Sequence, residues 1–234
     1  MRQDHRIAVI IPALNEERAI GRVIADIPSW VDLVVVADNG STDRTAEISR
    51  AAGALVIAEP ERGYGAACLA GLRNIGDADI VVFLDGDYSD YPEEMVSLVD
   101  PITAGTSDMV IGSRVLGERE AGALTPQQRF GNWLATRLIR WIWGTRYSDL
   151  GPFRAIATKS LSRLQMADRT YGWTVEMQIK AAILGLRSTE VPVRYRRRIG
   201  VSKISGTITG TVKAGWKILG MIARYWMRPG LAPR

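Results

Sequence analysis

The sequence is poor in the residues that cross-link small secreted proteins or build zinc sites. It has one cysteine, Cys68, and one histidine, His5, among its 234 residues. A lone cysteine cannot form an internal disulfide, which fits a reducing compartment. A lone histidine beside the N-terminus argues against a histidine-based catalytic triad or zinc centre.

Long apolar runs and flexible linkers are also missing. No segment reaches the ~18 consecutive apolar residues that span a bilayer. The apolar run near the N-terminus is too short for a signal peptide. We therefore expect a cytoplasmic protein. No stretch rich in Pro, Gly or Ser divides the chain, so we predict one domain over residues 1–206, followed by a basic amphipathic helix and tail over 207–234.

Strand and helix patterns alternate through the first half. Short β-branched apolar runs predict five buried strands: "RIAVIIPAL", "VDLVVVADNG", "ALVIAE", "DIVVFLDGD" and "DMVIGSR". Segments with helical spacing follow them, and one of these, "STDRTAEISRAAG", has Ser41 or Thr42 as a candidate N-cap and Gly53 just past its end. This alternation predicts an α/β fold with a mostly parallel sheet flanked by helices. Ligands of such folds bind beyond the carboxyl ends of the strands.

Acidic residues follow the fourth strand in "VVFLDGDYSDYP". Asp85 and Asp87 aim two carboxylates at one point beyond the sheet edge, where Mg²⁺ or Mn²⁺ would remove their mutual repulsion. The alternative is a solvated turn. We interpret Asp90 as a solvated cap before Pro92.

Other strand ends carry polar residues with two open interpretations. Asn15 and Glu16 either cap the following helix or bind a ligand, Asp38 is suited to accept from a base N–H, and Arg62 to bind phosphate. Both the dinucleotide pattern GxGxxG after the first strand and the P-loop pattern GxxxxGK[ST] are absent, which disfavours those two folds.

These segments together resemble family 2 glycosyltransferases of the GT-A fold. The matching stretches are "VIIPALNEE", "VVVADNGSTDRTAEI", "ERGYGAA", "VVFLDGDYSDYPEE" and "VIGSR". The second half, with "FGN", "SDLGPFRAI", "WTVEMQIKA" and "RRRIGVSKISG", is similar to the branch of dolichyl-phosphate mannosyltransferases and polyprenyl-phosphate glucosyltransferases. The resemblance runs from about Ile7 to about Gly206. It implies transfer of a sugar from a nucleotide-sugar, with inversion and often onto a lipid phosphate.

The resemblance also implies a donor site. The nucleoside pocket would be lined by Pro12, Ala13, Asn15, Glu16, Asp38, Arg62 and Gly63. The metal and the diphosphate would face Asp85 and Asp87.

Further matching residues would bind the phosphates. Arg114 and Arg129 would hold the acceptor phosphate, and Arg197, Ser202 and Lys203 would close over the donor diphosphate. The sequence departs from the family pattern at Asn39, which replaces an Asp, and at Ser89, where a polar metal ligand is common in the branch.

The acceptor decides which further residues are needed. A phosphate acceptor is already anionic near neutral pH and needs only cations to position it. A hydroxyl on a soluble acceptor would need a carboxylate base, for which Asp149 and Glu176 are the candidates, the latter beside a Trp173 that we expect to be exposed. A sugar nucleotidyltransferase is a third alternative. The acidic rim argues against nucleic-acid binding despite the net charge of +5.

The final helix is amphipathic and basic. Lys213, Lys217, Arg224 and Arg228 fall within about 60° of one another at helical spacing, and aromatic residues including Trp216 and Trp226 occupy the other face. This pattern is typical of a helix lying in a membrane interface. We expect peripheral binding at the inner face of the membrane. Packing on the core or in a homodimer is the alternative.

Overall fold

The computed structural model of the protein describes residues 1–200 and 208–227, with side chains in the last range described from Gly215 onward. Its strands are β1 (Ile7–Ala13), β2 (Leu33–Asp38), β3 (Leu55–Ala58), β4 (Ile80–Phe83), β5 (Met109–Ser113), β6 (Arg154–Ala157) and β7 (Ser188–Pro192). Its helices are α1 (Ile20–Ala25), α2 (Thr45–Ala51), α3 (Tyr64–Leu72), α4 (Met95–Thr103), α5 (Pro126–Trp143), α6 (Thr158–Leu164), α7 (Trp173–Ile183) and α8 (Ile208–Met227).

The strands form one sheet in the order β3-β2-β1-β4-β6-β5-β7. Strands β1, β2, β3 and β4 pair in parallel, as do β5 and β7. Strand β6 lies between β4 and β5 and is antiparallel to both. The predicted α/β fold with a mostly parallel sheet is confirmed. The sequence pattern predicts neither the place nor the direction of β6.

Both faces of the sheet are buried by helices. Alternate residues of β1 point to opposite faces: Ile10 packs with α3, α5 and α7, whereas Val9 and Ile11 pack with α1 and α4. Helix α8 joins the first of these layers through Ile222 and Tyr225. The predicted boundary between residues 206 and 207 lies outside the described residues.

Helix ends follow local capping chemistry, with one correction. Helix α5 begins with a capping box in which Thr125 and Gln128 bond each other's backbone N–H, and it ends at Gly144 in the left-handed conformation. The predicted cap of α2 at Ser41 or Thr42 is wrong, because this helix starts at Thr45, where the Asp43 carboxylate accepts from the backbone N–H.

Helix α1 is also shorter than the helical spacing of apolar residues in "NEERAIGRVIADI" predicts. The backbone N–H of Asn15 donates to the Ser41 hydroxyl, so the chain before α1 is bound to the turn before α2 and is not helical. No helix within the described ranges combines the length and the apolar character that crossing a membrane requires.

Candidate active site

The carboxyl ends of the parallel strands form the rim on which the candidate site lies. Strand β4 is fully buried and ends at Phe83, and Asp85 and Asp87 follow it at this rim. Strands β1 and β2 end side by side, because their last residues, Ala13 and Asp38, are paired. The predicted donor residues on these strand ends therefore share one edge of the sheet.

The two carboxylates of the D-x-D motif have different partners. Asp85 accepts a hydrogen bond from the Tyr64 hydroxyl at 3.1 Å. One oxygen of Asp87 accepts from both the backbone N–H and the hydroxyl of Ser89, at 2.9 and 2.6 Å, and the other pairs with the Arg198 guanidinium. Ser89 thus orients Asp87, which is a different role from that of the polar metal ligand that the branch often has here.

The donor set fits a hard divalent cation. Burial, together with the charge of Asp87, raises the pKa of Asp85 to about 7. Burial is the larger cause and repulsion by Asp87 the second, and the charge of a bound cation would oppose both. No group of three or more acidic, His or Cys side chains converges within the described residues, so a metal at Asp85 and Asp87 would take its other ligands from diphosphate oxygens and water.

The prediction that Asp90 is a solvated cap before Pro92 is wrong. The residue is buried rather than solvated, and neither carboxylate oxygen has a hydrogen-bond partner within the described part of the chain. Burial, with the charges of Asp85 and Asp87, raises the pKa of Asp90 well above its usual range. A long-range contact accompanies this burial: the Asp90 backbone forms a β-bridge with Tyr195, while Tyr91 takes the cap position before Pro92.

Residues 195–199 cover the D-x-D loop, and we call this segment the clasp. The backbone N–H groups of Arg196 and Ile199 donate to the carbonyl oxygens of Ser89 and Asp87, at 3.0 and 2.9 Å. The Arg196 guanidinium lies 3.3 Å from the centroid of the Tyr88 ring. The clasp therefore fixes the loop that carries the two carboxylates.

The three consecutive arginines of the clasp point to different places. Arg197 donates to the carbonyl oxygen of Ala121 at 2.7 Å, and its backbone N–H donates to Glu120, whereas Arg198 pairs with Asp87. The resemblance implies a role for Arg197 and none for Arg198, because the family pattern R-x-x-G-x-S-K begins at Arg197, three residues before Gly200. Ser202 and Lys203 lie outside the described residues.

The predicted nucleoside residues surround a tightly bonded turn. The Asn39 side chain donates to the carbonyl oxygens of Glu59 and Glu61 and accepts from the backbone N–H of Gly63 at 2.8 Å. The Asp38 carboxylate accepts from the backbone N–H of Ser41. Asn39 therefore ties the ends of β2 and β3 together, which explains an amide at a position where the family usually has an acid.

The remaining nucleoside candidates lie around the same turn. The side-chain Oδ1 of Asn15 accepts from the Thr42 backbone N–H, and the backbone N–H of Glu16 donates to the Thr45 hydroxyl. Pro12 and Ala13 form the end of β1, and the Arg62 guanidinium lies beside Gly40. The structure thus brings together all seven candidates, since Gly63 is bonded to Asn39.

Arg114 and Asp149 form a buried, two-pronged ion pair. Two guanidinium nitrogens donate to the two carboxylate oxygens at 2.8 and 2.7 Å, and the Arg114 backbone N–H donates as well. Burial alone would raise the pKa of Asp149, but the Arg114 guanidinium and backbone hydrogen bonds hold it below its usual range. Asp149 is thus an ionised anchor for Arg114, whose guanidinium also lies 5.1 Å from the Tyr195 ring centroid.

Glu176 also forms an ion pair. It is buried, pairs with Lys180 at 2.8 Å and accepts from the Tyr225 hydroxyl and from the backbone N–H groups of Ala167 and Asp168. The expectation that Trp173 beside it is exposed is wrong, because the indole is buried against Phe83. Glu176 therefore links α7, the loop before it and α8.

A cavity of about 570 Å³ adjoins the Arg114–Asp149 pair. Its wall includes Arg119, Arg129, Phe130, Trp133, Arg137 and Ser148. The Ser148 hydroxyl is 2.6 Å from that of Ser113, so the cavity borders the residues next to Arg114 and Asp149 in sequence. Three arginines and two aromatic rings give it the chemistry of a site for an anion with an apolar extension.

The chain is similar to known glycosyltransferases along most of its length. The model for glycosyl transferase family 2 matches residues 8–165. An uncharacterized glycosyltransferase of Mycobacterium tuberculosis is 34% identical, with 91% of this chain and 97% of the relative covered. A dolichyl-phosphate hexose transferase of Haloferax volcanii is 35% identical, with 85% of this chain and 86% of the relative covered.

The fold is also found among solved structures. The glucosyl-3-phosphoglycerate synthase of Mycobacterium tuberculosis, in complex with Mn²⁺, UDP and glucosyl-3-phosphoglycerate, superposes with a TM-score of 0.76 at 23% identity, over 94% of this chain and 80% of that one. This likeness confirms the predicted GT-A fold. The chain belongs to glycosyl transferase family 2 and is a glycosyltransferase.

Proposed function

We propose that this glycosyltransferase moves a hexose, with inversion, from a UDP- or GDP-sugar to a polyprenyl or dolichyl phosphate, with Mg²⁺ or Mn²⁺ held by Asp85 and Asp87. One observation carries the proposal. The D-x-D carboxylates and the arginine-lined cavity both lie near Arg114: its charge acts on Asp85, and its neighbour Val115 lines the cavity. A donor diphosphate and an acceptor phosphate would then meet at this arginine.

The donor half of the proposal rests on charge. A divalent cation, when bound, neutralises the diphosphate and stabilises it as it departs. Ser89 holds one oxygen of Asp87, and Tyr64 holds one oxygen of Asp85, so both carboxylates are oriented before any ligand arrives. A Mn²⁺–UDP complex in a protein of the same fold supports the metal.

The acceptor half of the proposal rests on the ion pairs that the two candidate base residues form. A hydroxyl acceptor needs a carboxylate to take its proton, but Asp149 is paired with Arg114 and Glu176 with Lys180. A phosphate monoester needs only cations, which Arg114 and Arg129 would supply. The name of the Haloferax volcanii relative, a dolichyl-phosphate hexose transferase, supports the same acceptor class.

The outer surface of α5 and α8 supports docking on a membrane. The exposed rings of Trp141 and Trp226 lie 6.1 Å apart, one on each helix, and Trp216 is 75% exposed. Exposed indoles beside arginines are typical of helices at a membrane interface. The cavity opens on α5 as well, so docking would bring the lipid phosphate next to Arg129.

A soluble phosphate-bearing acceptor is the second candidate. The arginines of the cavity would bind any phosphate, and the glucosyl-3-phosphoglycerate synthase of the same fold carries a product of that class. The two candidates share the donor chemistry and differ in the attacking oxygen. In the lipid it belongs to the phosphate, whereas in a soluble acceptor it would belong to a hydroxyl, which would need Asp149 or Glu176 as its base.

The experiment is a thermal-shift screen of UDP- and GDP-sugars with and without Mn²⁺, followed by turnover of the stabilising donor. A short polyprenyl phosphate and 3-phosphoglycerate are compared as acceptors at equal concentration. We expect metal-dependent stabilisation and transfer to the polyprenyl phosphate. Transfer to 3-phosphoglycerate alone would favour the second candidate, and metal-independent donor binding would contradict the metal site.

A further inference from the structure

The clasp places an arginine where a bound cation would face Asp87. The Arg198 guanidinium pairs with the Asp87 oxygen that Ser89 does not engage. The Asp87 side chain is only 3% exposed, whereas that of Arg198 is 34% exposed. Arg198 therefore lies on the more exposed side of the pair and occupies one oxygen of the carboxylate.

The clasp is joined to the same loop by its backbone. Ile199 donates to the carbonyl oxygen of Asp87, and Arg196 donates to that of Ser89. The Arg196 guanidinium lies between the rings of Tyr88 and Tyr91, 3.3 and 4.1 Å from their centroids. With the backbone held in this way, the Arg198 side chain is able to leave Asp87 by rotation while the clasp stays in place.

The pairing leaves polar atoms unsatisfied. The Nε of Arg198 is buried without a hydrogen-bond partner among the described residues, and so are both carboxylate oxygens of Asp90. Asp85 and Asp87 lie in the same cluster and repel each other. The Arg198 charge acts on both Asp85 and Asp87, and a divalent cation would bring twice that charge to the same place.

We infer that Arg198 is a built-in counter-ion for Asp87, which a divalent cation must displace, and that the displaced guanidinium then pairs with the donor diphosphate. The inference rests on the proposed function. A cation arriving alone competes with Arg198 for one carboxylate oxygen and leaves the guanidinium without an anion. A cation arriving with a nucleoside diphosphate gives Arg198 a new partner. Arg198 therefore makes metal and nucleotide binding favour each other.

The test measures Mn²⁺ affinity by electron paramagnetic resonance, without turnover. Mn²⁺ is titrated into the metal-free protein alone and with saturating UDP or GDP, for the parent, Arg198→Gln and Arg198→Lys. Arg194→Gln is the matched control, since Arg194 is close in sequence but pairs with Glu93 and Glu94. Circular dichroism establishes that each variant is folded.

We expect Arg198→Gln to bind Mn²⁺ alone about tenfold more tightly than the parent, and the gain in Mn²⁺ affinity on adding nucleotide to fall by about the same factor. Arg198→Lys and Arg194→Gln should behave like the parent. Equal Mn²⁺ affinity of parent and Arg198→Gln without nucleotide would overturn the inference while leaving the proposed function intact. Absence of Mn²⁺ binding to the parent even with nucleotide would overturn both.

Discussion

Arg114 and Asp149 are joined by two parallel hydrogen bonds, of 2.8 and 2.7 Å, and the Asp149 side chain is fully buried. The residues next to the pair in sequence, Val115 and Ser148, line the cavity on α5, and Tyr195 of the clasp packs on the guanidinium. This geometry fixes the one arginine that donor and acceptor phosphates would share.

Replacing Asp149 by Asn should therefore weaken both stability and acceptor binding. Removal of one charge from a buried pair costs about 3–5 kcal/mol of unfolding free energy. The Arg114 guanidinium would also lose its orientation, so the KM for the acceptor should rise more than the KM for the donor. Urea unfolding and steady-state kinetics measure the two effects.

Asp108→Asn is the matched control for that variant. Its partner Arg187 is mostly exposed, and exposed pairs contribute up to about 1 kcal/mol. A stability loss in Asp149→Asn no larger than in Asp108→Asn would contradict the role assigned to the buried pair.

Glu176→Gln should lower the stability of the fold and leave the rate of the reaction nearly unchanged. The substitution leaves Lys180 buried beside a neutral side chain and weakens the bond from the Tyr225 hydroxyl. We expect a lower urea midpoint, with kcat per folded molecule within about threefold of the parent, because an interaction absent from the reacting atoms changes kcat little. A fold-neutral variant with kcat reduced a hundredfold would instead identify Glu176 as the base of a hydroxyl acceptor.

Gly65 should tolerate no side chain. An added Cβ would lie 2.0 Å from the carbonyl oxygen of Asp168, so the loop that packs on α3 would have to move. We expect Gly65→Ala to lower the unfolding free energy, and Gly220→Ala, whose Cβ would meet no atom within 4 Å, to raise it by about 0.5–1 kcal/mol. Urea unfolding of the two variants separates a steric effect from helix propensity, and a stabilising Gly65→Ala would contradict the close contact.

The metal-free protein should lose stability as the pH rises toward neutrality. The pKa of Asp85 is about 7 in the folded protein and about 4 in an unfolded chain. Between these values the folded state binds more protons than the unfolded state, so the unfolding free energy contributed by Asp85 falls with increasing pH.

Asp85→Asn tests that dependence. Without a metal ion, the variant should gain stability relative to the parent between pH 5 and pH 8, and Mn²⁺ should stabilise only the parent. Chemical denaturation at the two pH values measures the change. A parent whose metal-free stability rises over this interval in step with that of Asp85→Asn would contradict the raised pKa.

The aromatic surface of α5 and α8 should bind anionic vesicles. Trp141 and Trp226 are 75% and 56% exposed, so replacing both by Ser removes apolar surface without opening the core. We expect vesicle affinity in a flotation assay to fall at least about tenfold, since burying one large apolar side chain contributes roughly 1.5–3 kcal/mol. Leu55→Ser, on β3, removes an exposed apolar side chain elsewhere and should bind as the parent does. Absence of vesicle binding by the parent would exclude docking.

Local signals predict the strands and the D-x-D loop well, because an apolar run ended by acidic residues needs no distant partner to be recognised. The surroundings of Asp90 depend instead on Tyr195, which is remote in sequence and forms a β-bridge with it. The same holds for β6, whose antiparallel place is set by pairing with β4 and β5. Among three adjacent arginines, the backbone bonds of the clasp decide that Arg198 rather than Arg197 reaches Asp87, and no sequence pattern contains that information.

Mass spectrometry and phosphorus NMR of the reaction product test the central claim most directly. The purified protein is incubated with Mn²⁺, a stabilising nucleotide-sugar and a short polyprenyl phosphate, with Asp87→Asn in parallel. We predict that the parent converts the lipid phosphate monoester into a hexosyl phosphodiester and that Asp87→Asn forms at least about a hundredfold less, because the variant loses a metal ligand. A hexose found on a hydroxyl group, or equal diester formation by Asp87→Asn, would contradict this claim.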